Sequence, residues 1–398
     1  MSTAELTPSA VRAAPESEPL DVLAVIDHFA LGGAEMMLGQ FAAAAPKAGI
    51  DLRVACLEER DGNPAAEPLR AIGVEPVCLD IGGRPGARHV EAMRRHIRAV
   101  RPAIVHTHLG GADLVGGVAG RSLGVPTVST IHEVIKRPQG LRSRAKSELY
   151  MLTRRLCAAR VIAVSDSARR AYLEQSRGMD ERVVRIYNGI GVTPQPGAGA
   201  ELRRELGVEP DALLVGMVSA LRPEKAHDVA IEAVAELRER FPRLRLLIAG
   251  GGGYAAEVER LAAPLGETVR LIGPRKDVMR VLDALDVCLH PSRMDAFPTT
   301  LIEALAASTP IVASAVGGIP EIVEDGVSGV LVPAPATAAN VAEELGSLLA
   351  DAPRRQALAK AGREAYERRF TAEQWVRETR RLYDEVLAQR LKPHWRPR

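Results

Sequence analysis

Aromatic side chains are scarce in this chain of 398 residues: Phe, Trp and Tyr together make up 3 %. So few rings leave few platforms for stacked bases, and a formal net charge of +2 supplies no broad basic surface. Nucleic acid is therefore not an expected partner. Cysteine is also sparse. Cys56, Cys78, Cys157 and Cys288 are scattered, with no CxxC and no metal-ligand spacing. Their apolar surroundings predict small core thiols in a reducing compartment. No stretch of about 18 apolar residues occurs, so no transmembrane helix is expected. Residues 1–19 lack an apolar segment of the secretory kind and read as a disordered tail, which points to a cytoplasmic protein. Also missing are GxxxxGKS/T, GxSxG and HExxH, which disfavours a P-loop NTPase, an elbow hydrolase and a zincin.

What is present is an alternation of short apolar runs with amphipathic stretches. Strands are expected at 21–29, 52–59, 74–80, 103–108, 125–133 and 183–191, and a further one begins at Val161. After GVTPQPGAGA, residues 191–200, the alternation starts again: 213–221, 244–253, 269–273, 286–292, 311–312 and 330–333. The pattern is α/β, two doubly wound parallel sheets joined by a Gly/Pro linker. One unit spans residues 20–190 and the other 201–371. Ligands of such sheets bind beyond the carboxyl ends of the strands, here in a cleft between the units.

Several residues fall at those ends. Gly32 and Gly33 lie between a strand and a helix, where backbone amides approach a phosphate or simply make a tight turn. His106, His108 and His132 close predicted strands. Lys225 follows the 213–221 strand at a helix start, an unfavourable place for a cation unless it has a partner. Arg222 stands beside it. The stretch from Ser292 to Pro320 holds Asp295, then Glu303 eight positions on, with Pro298 suited to a first helical turn. A helix over 298–307 would open its free amides beside Asp295 and hold the two acids roughly 10–12 Å apart. Paired carboxylates of glycoside hydrolases sit at about 5–9.5 Å, so this pair suits an extended ligand with an anionic middle rather than a single bond. Asp295 also reads as a helix N-cap. Between Lys136 and Arg160 eight cations interleave with Leu149, Met151, Leu152 and Leu156: a solvated helix face, or a surface for anionic lipid or an acidic acceptor.

Together the segments LGGAE, VHTH, STIHE, AVSDSA, IYNGI, LRPEKAHD, LLIAGGGG, RLIGPRKDV and HPSRMDAFPTTLIEALAASTPIVASAVGGIPEIVEDG resemble the family 4 glycosyltransferases, over roughly residues 20–390. That resemblance implies the GT-B architecture, in which a final helix, here 372–390, crosses back to the first unit. It implies a retaining, metal-independent enzyme that uses a nucleotide-diphosphate sugar, with UDP or GDP as the expected carrier and no cofactor. By position, Glu303 would hold the ribose and Asp295 the donor hexose. Lys225 would neutralise the diphosphate with Arg222, the amides around Phe297, Pro298, Thr299 and Thr300, and the Gly32–Gly33 loop. His132 would sit beside the transferred sugar, and segment 271–275, with Ile272, against the base. The acceptor would be a glycan, a lipid-linked or a small-molecule hydroxyl. Three positions depart from the family pattern: Ala220 replaces an Arg, Asp295 a Glu and Ser308 a Gly. Thinner positive charge admits a silent GT-B binding protein, and a GT-B sugar-nucleotide epimerase is a separate alternative.

Overall fold

The computed structural model describes residues 18–30, 32–60, 62–83, 85–133, 140–192 and 197–390. Two parallel sheets organise them. The first contains β1 (Leu20–Ile26), β2 (Ile50–Cys56), β3 (Val77–Cys78), β4 (Ile104–His108), β5 (Thr127–Ile131), β6 (Ala158–Ala163) and β7 (Val183–Arg185), in the order β3-β2-β1-β4-β5-β6-β7. The second contains β8 (Leu213–Val218), β9 (Leu244–Ala249), β10 (Val269–Gly273), β11 (Val287–His290), β12 (Ile311–Ser314) and β13 (Val330–Val332), in the order β10-β9-β8-β11-β12-β13. Val22 to Ile26 are all buried, as expected of strands covered by helices on both faces. In each sheet the winding reverses beside the first strand, at β1/β4 and at β8/β11. These are the crevices where such sheets receive ligands.

Most predicted strands end earlier than their apolar runs. The 244–253 run stops at Ala249 because the glycines that follow pack against a neighbouring turn. A Cβ on Gly250 would strike the Ser219 carbonyl, and one on Gly252 the Leu221 carbonyl. This GGGG stretch is a close-packed corner. His106 lies inside β4, two residues short of its end, and is buried.

The chain passes between the sheets twice, and the two passages are bonded side by side. Ile190 N–H donates to the Phe370 carbonyl at 3.0 Å, and Ala372 N–H donates to the Ile190 carbonyl at 3.0 Å. Gly189 is needed there because a Cβ would meet the Thr371 carbonyl. The Ala372–Arg390 helix then lies against the first sheet's helices. Trp375 meets Phe41 edge-on at 5.0 Å, and the Tyr383 hydroxyl lies 2.6 Å from His106 Nδ1. Phe297 of the second half stacks on Tyr187 of the first at 5.0 Å, with Phe370 edge-on to both. Apolar burial is thus continuous from one sheet to the other. Among the described residues no helix is long and apolar enough to cross a membrane.

Candidate active site

The β8/β11 crevice brings together residues from two loops. After β8, Pro223–Lys225 forms one 3-10 turn, and Ala226 takes a left-handed conformation with φ 56°. After β11, the chain runs through Ser292 to Asp295. Lys225 Nζ lies 2.5 Å from Asp295 Oδ2, and His290 Nε2 lies 3.0 Å from the same oxygen. Ser292 Oγ is 3.0 Å from that His290 nitrogen. Burial alone would raise the Asp295 carboxyl, but the His290 contact and the Lys225 charge outweigh it and hold the group at about 2. It is ionised throughout the neutral range.

The loop carrying Asp295 is fixed from behind by Gly317 and Gly318. Gly318 N–H donates to the Asp295 carbonyl at 3.1 Å, and side chains at either glycine would collide with the Asp295 or Ala296 carbonyl. Gly317 also has φ 55°, a conformation L-residues rarely adopt. Asp295 is not the N-cap of the next helix. That helix is Thr299–Ala306, with Pro298 in the cap position, and no side chain caps it. The amides of Thr299 and Thr300 have no partner within the helix and remain available, whereas Pro298 has no N–H to give. Phe297 turns its ring into the stack between the two halves, so that ring is committed to packing.

Glu303 lies further along the helix, half-buried beside Cys288. Its carboxyl makes no hydrogen bond or ion pair with any described residue. Burial pushes it up to about 7, so at neutral pH it is divided between acid and carboxylate. An acidic group drawn partly out of water and left unpaired is costly and is uncommon away from functional sites. Ile272 is half-buried at the end of β10, on the far side of β9 from this pair.

The first sheet contributes the opposing wall. Gly32 caps the Gly33–Ala44 helix, with Glu35 in its first turn, buried and raised by that burial. A backbone hydrogen bond and the neighbouring His28 offset part of this rise, and the charge of Arg222 from the second half adds a smaller lowering effect. A Cβ on Gly33 would touch nothing, and its φ is not left-handed, so neither packing nor backbone geometry demands glycine there. His132, one residue past β5, places Nε2 2.9 Å from His108 Nδ1. Burial, with the Arg154 charge, lowers it to about 4. Two contacts hold the walls near one another. Ser165 Oγ donates to the Ala296 carbonyl at 2.9 Å, and Glu321 accepts from the amides of Asp166 and Ser167 at 2.7 and 2.8 Å.

Two family profiles tile the chain: Glycosyltransferase Family 4 matches residues 31–193, and Glycosyl transferases group 1 matches 200–365. A D-inositol 3-phosphate glycosyltransferase of Saccharomonospora viridis is 33 % identical over 307 residues, covering 71 % of this chain and 69 % of the relative. The chain belongs to the family 4 glycosyltransferases. A protein of the same name from Stackebrandtia nassauensis is 34 % identical over 293 residues, 67 % of this chain and 65 % of its own. The match thus spans about two thirds of such relatives. Among solved structures, Anabaena HepE in complex with UDP superposes with a TM-score of 0.81 at 21 % identity, covering 92 % of this chain and 100 % of that one. Sucrose-phosphate synthase from Thermosynechococcus elongatus gives 0.77 at 22 %, covering 93 % and 100 %. These likenesses establish the GT-B fold.

Within family 4, the sequence resemblance named Lys225, Asp295 and Glu303 but missed His290, which shares Asp295 with Lys225. Its signal was visible: a histidine ending the strand that delivers the acid. Glu35 was missed as well, though it lies two residues after the Gly-Gly pair. Ala220 is exposed on the β8 loop and offers no charge, while Arg222, two residues on, does. Of the cations predicted between 136 and 160, Lys136 and Arg137 lie outside the described residues. Arg154 does not belong to the surface. It is buried, bonded to Asp113 at 2.7 Å, and so contributes nothing to a basic face.

Proposed function

We propose that this chain is a retaining glycosyltransferase that moves a hexose-type sugar from a nucleoside-diphosphate donor to an acceptor hydroxyl. The observation that carries the reading is Glu303: a half-buried, unpaired carboxyl pushed up to about 7, on the helix that follows the loop holding the Lys225–Asp295 pair. Ribose hydroxyls donating to Glu303 supply the partners it lacks. Lys225 leaves Asp295 for the diphosphate, assisted by Arg222 and the amides of Thr299 and Thr300. Asp295, ionised at any working pH, accepts from the sugar's hydroxyls. Gly33, free of any packing demand, lets the opposing backbone come close to the phosphates. Ile272 lies toward the base.

In the reaction the acceptor oxygen bonds to the anomeric carbon on the face the diphosphate leaves, and the acceptor's proton passes to the departing phosphate oxygen. The configuration is retained. Fixed donors stabilise the charge that grows on the leaving group, so no metal is needed in this reading. HepE structures with UDP and UDP-glucose support a uridine carrier, and the relatives' name makes a phosphorylated polyol the first acceptor to try beside glycan and lipid-linked hydroxyls. A thermal-shift panel of UDP-, GDP-, ADP- and dTDP-sugars tests the donor. A sugar-nucleotide at about 100 times its Kd should stabilise by roughly 2.7 kcal/mol.

Ala220 favours a second reading, a silent GT-B protein that binds nucleotide without turnover. Acceptor-dependent release of the nucleoside diphosphate separates transfer from both silence and epimerisation. A peripheral contact with anionic membrane is also proposed, through the Leu141–Cys157 helix. Leu141, Leu149, Leu152 and Leu156 are exposed on it, half of the eight large exposed hydrophobics among the described residues, and Arg142 and Arg155 are exposed alongside.

A further inference from the structure

Three imidazoles stand in a row at the carboxyl ends of two central strands of the first sheet, β4 and β5. The rings of His106 and His108 are 4.3 Å apart, and those of His108 and His132 are 5.2 Å apart. His106 uses both nitrogens, Nδ1 at 2.6 Å from the Tyr383 hydroxyl and Nε2 at 2.7 Å from Thr130 Oγ1. His108 uses one. Its Nδ1 lies 2.9 Å from His132 Nε2, while its own Nε2 is buried with no hydrogen-bond partner. Burial and mutual repulsion keep the three rings neutral, His106 at about 3, His132 at about 4 and His108 well below its usual value. The Arg154 guanidinium, paired with Asp113, adds to this at His132. Each ring therefore holds one proton, on one nitrogen or the other.

The orphaned nitrogen decides which. A buried N–H without an acceptor is rarer and costlier than a buried lone pair without a donor. His108 Nε2 is accordingly bare, and its proton is on Nδ1. That N–H can only donate to His132 Nε2, which must then be the bare nitrogen of its own ring. The remaining proton of His132 is on Nδ1, which has no partner among the described residues. We infer that His108 is a positioning residue that fixes His132 in the Nδ1–H tautomer, so that the cleft receives a permanent hydrogen-bond donor and no base. Resting on the glycosyltransferase reading, this assigns His132 an oxygen lone pair of the donor sugar as its ligand. It removes His132 from any proton-abstracting role.

The test is two-bond 1H–15N correlation on the full chain labelled at histidine nitrogen, with His108→Asn and His132→Gln assigning the two rings. The expected pattern is Nδ1–H for both His108 and His132 in the wild type, unchanged from pH 6 to 8. An Nε2–H pattern or a charged ring at either position overturns the inference. This readout is independent of turnover: the expected tautomers in a protein that turns over no nucleotide-sugar would leave the inference standing and sink the proposed activity. Kinetics supply the second arm. His108→Leu should lower kcat on the order of tenfold, the cost of losing the partner that orients a functional imidazole, with KM for the donor nearly unchanged. His108→Asn, whose amide reaches the Nδ1 position, should recover most of that loss. Equal loss in both variants, with folding intact, overturns the positioning role.

Discussion

Lys225 and Asp295 are paired at 2.5 Å across the β8/β11 crevice, so the cation proposed for the diphosphate is held by the acid proposed for the sugar. A ligand with a diphosphate must draw Lys225 away, and it leaves Asp295 with His290 as its remaining partner. Asp295→Asn removes the competitor for Lys225 and also the acceptor for the sugar's hydroxyls. Nucleoside diphosphate alone should bind that variant as tightly as the wild type or tighter by titration calorimetry. Turnover of the nucleotide-sugar should fall by about 100-fold or more, the scale of losing a contact made with the reacting group.

Glu303 gives the site a pH signature. Its folded value of about 7 lies above the ordinary 4.5 of a Glu, so between those values the native state holds more protons than the unfolded one. Stability therefore falls as pH rises from about 4.5 to about 7, and the loss is complete above that. Glu303→Gln should flatten this decline in melting temperature. Ribose hydroxyls donating to the carboxylate would lower its pKa, so nucleotide binding near pH 7 should release protons, seen as a buffer-dependent heat. Binding heats that are identical in all buffers would contradict the ribose contact.

Ser308 occupies a glycine's position. Its φ is 58°, and the bonds from Ser308 N–H to the Leu305 carbonyl and from Thr309 N–H to the Ala304 carbonyl form a Schellman cap on the Thr299–Ala306 helix. Left-handed backbone costs a non-glycine residue roughly 1–2 kcal/mol, partly offset by the extra freedom glycine has when unfolded. Ser308→Gly should stabilise the protein by about 1 kcal/mol in denaturant titrations while leaving turnover unchanged.

The sheets and their order of elements were legible because parallel strands covered on both faces read as continuous apolar runs. Their ends were less so. Ala249 closes β9 through contacts of Gly250 and Gly252 with carbonyls some thirty residues earlier, and no local pattern encodes such contacts. The Tyr187–Phe297–Phe370 stack was invisible for the same reason, since its three rings come from distant segments. Asp295 as an N-cap was a local reading displaced by a non-local partner, Lys225. The meeting of Lys225 with Asp295 was legible because each follows an apolar run, and those runs form the adjacent strands β8 and β11. Arg154 was misplaced because a helical cation beside leucines looks alike whether it faces water or, as here, a buried Asp113.

If the Leu141–Cys157 helix docks on anionic lipid, the protein should co-sediment with phosphatidylglycerol-containing vesicles at about 50 mM salt and lose them as salt rises and screens the attraction. Leu152→Glu should weaken binding at every salt concentration. Absence of co-sedimentation at low salt would end the idea.

The most direct measurement is release of free nucleoside diphosphate from a nucleotide-sugar, with and without acceptor, in the wild type and in Lys225→Ala and Glu303→Ala. The expected result is release that requires acceptor, yields a product of retained configuration, and drops by at least about 100-fold in both variants while their melting temperatures stay near wild type. Release that is independent of acceptor, or that survives both substitutions, would contradict transfer at this site.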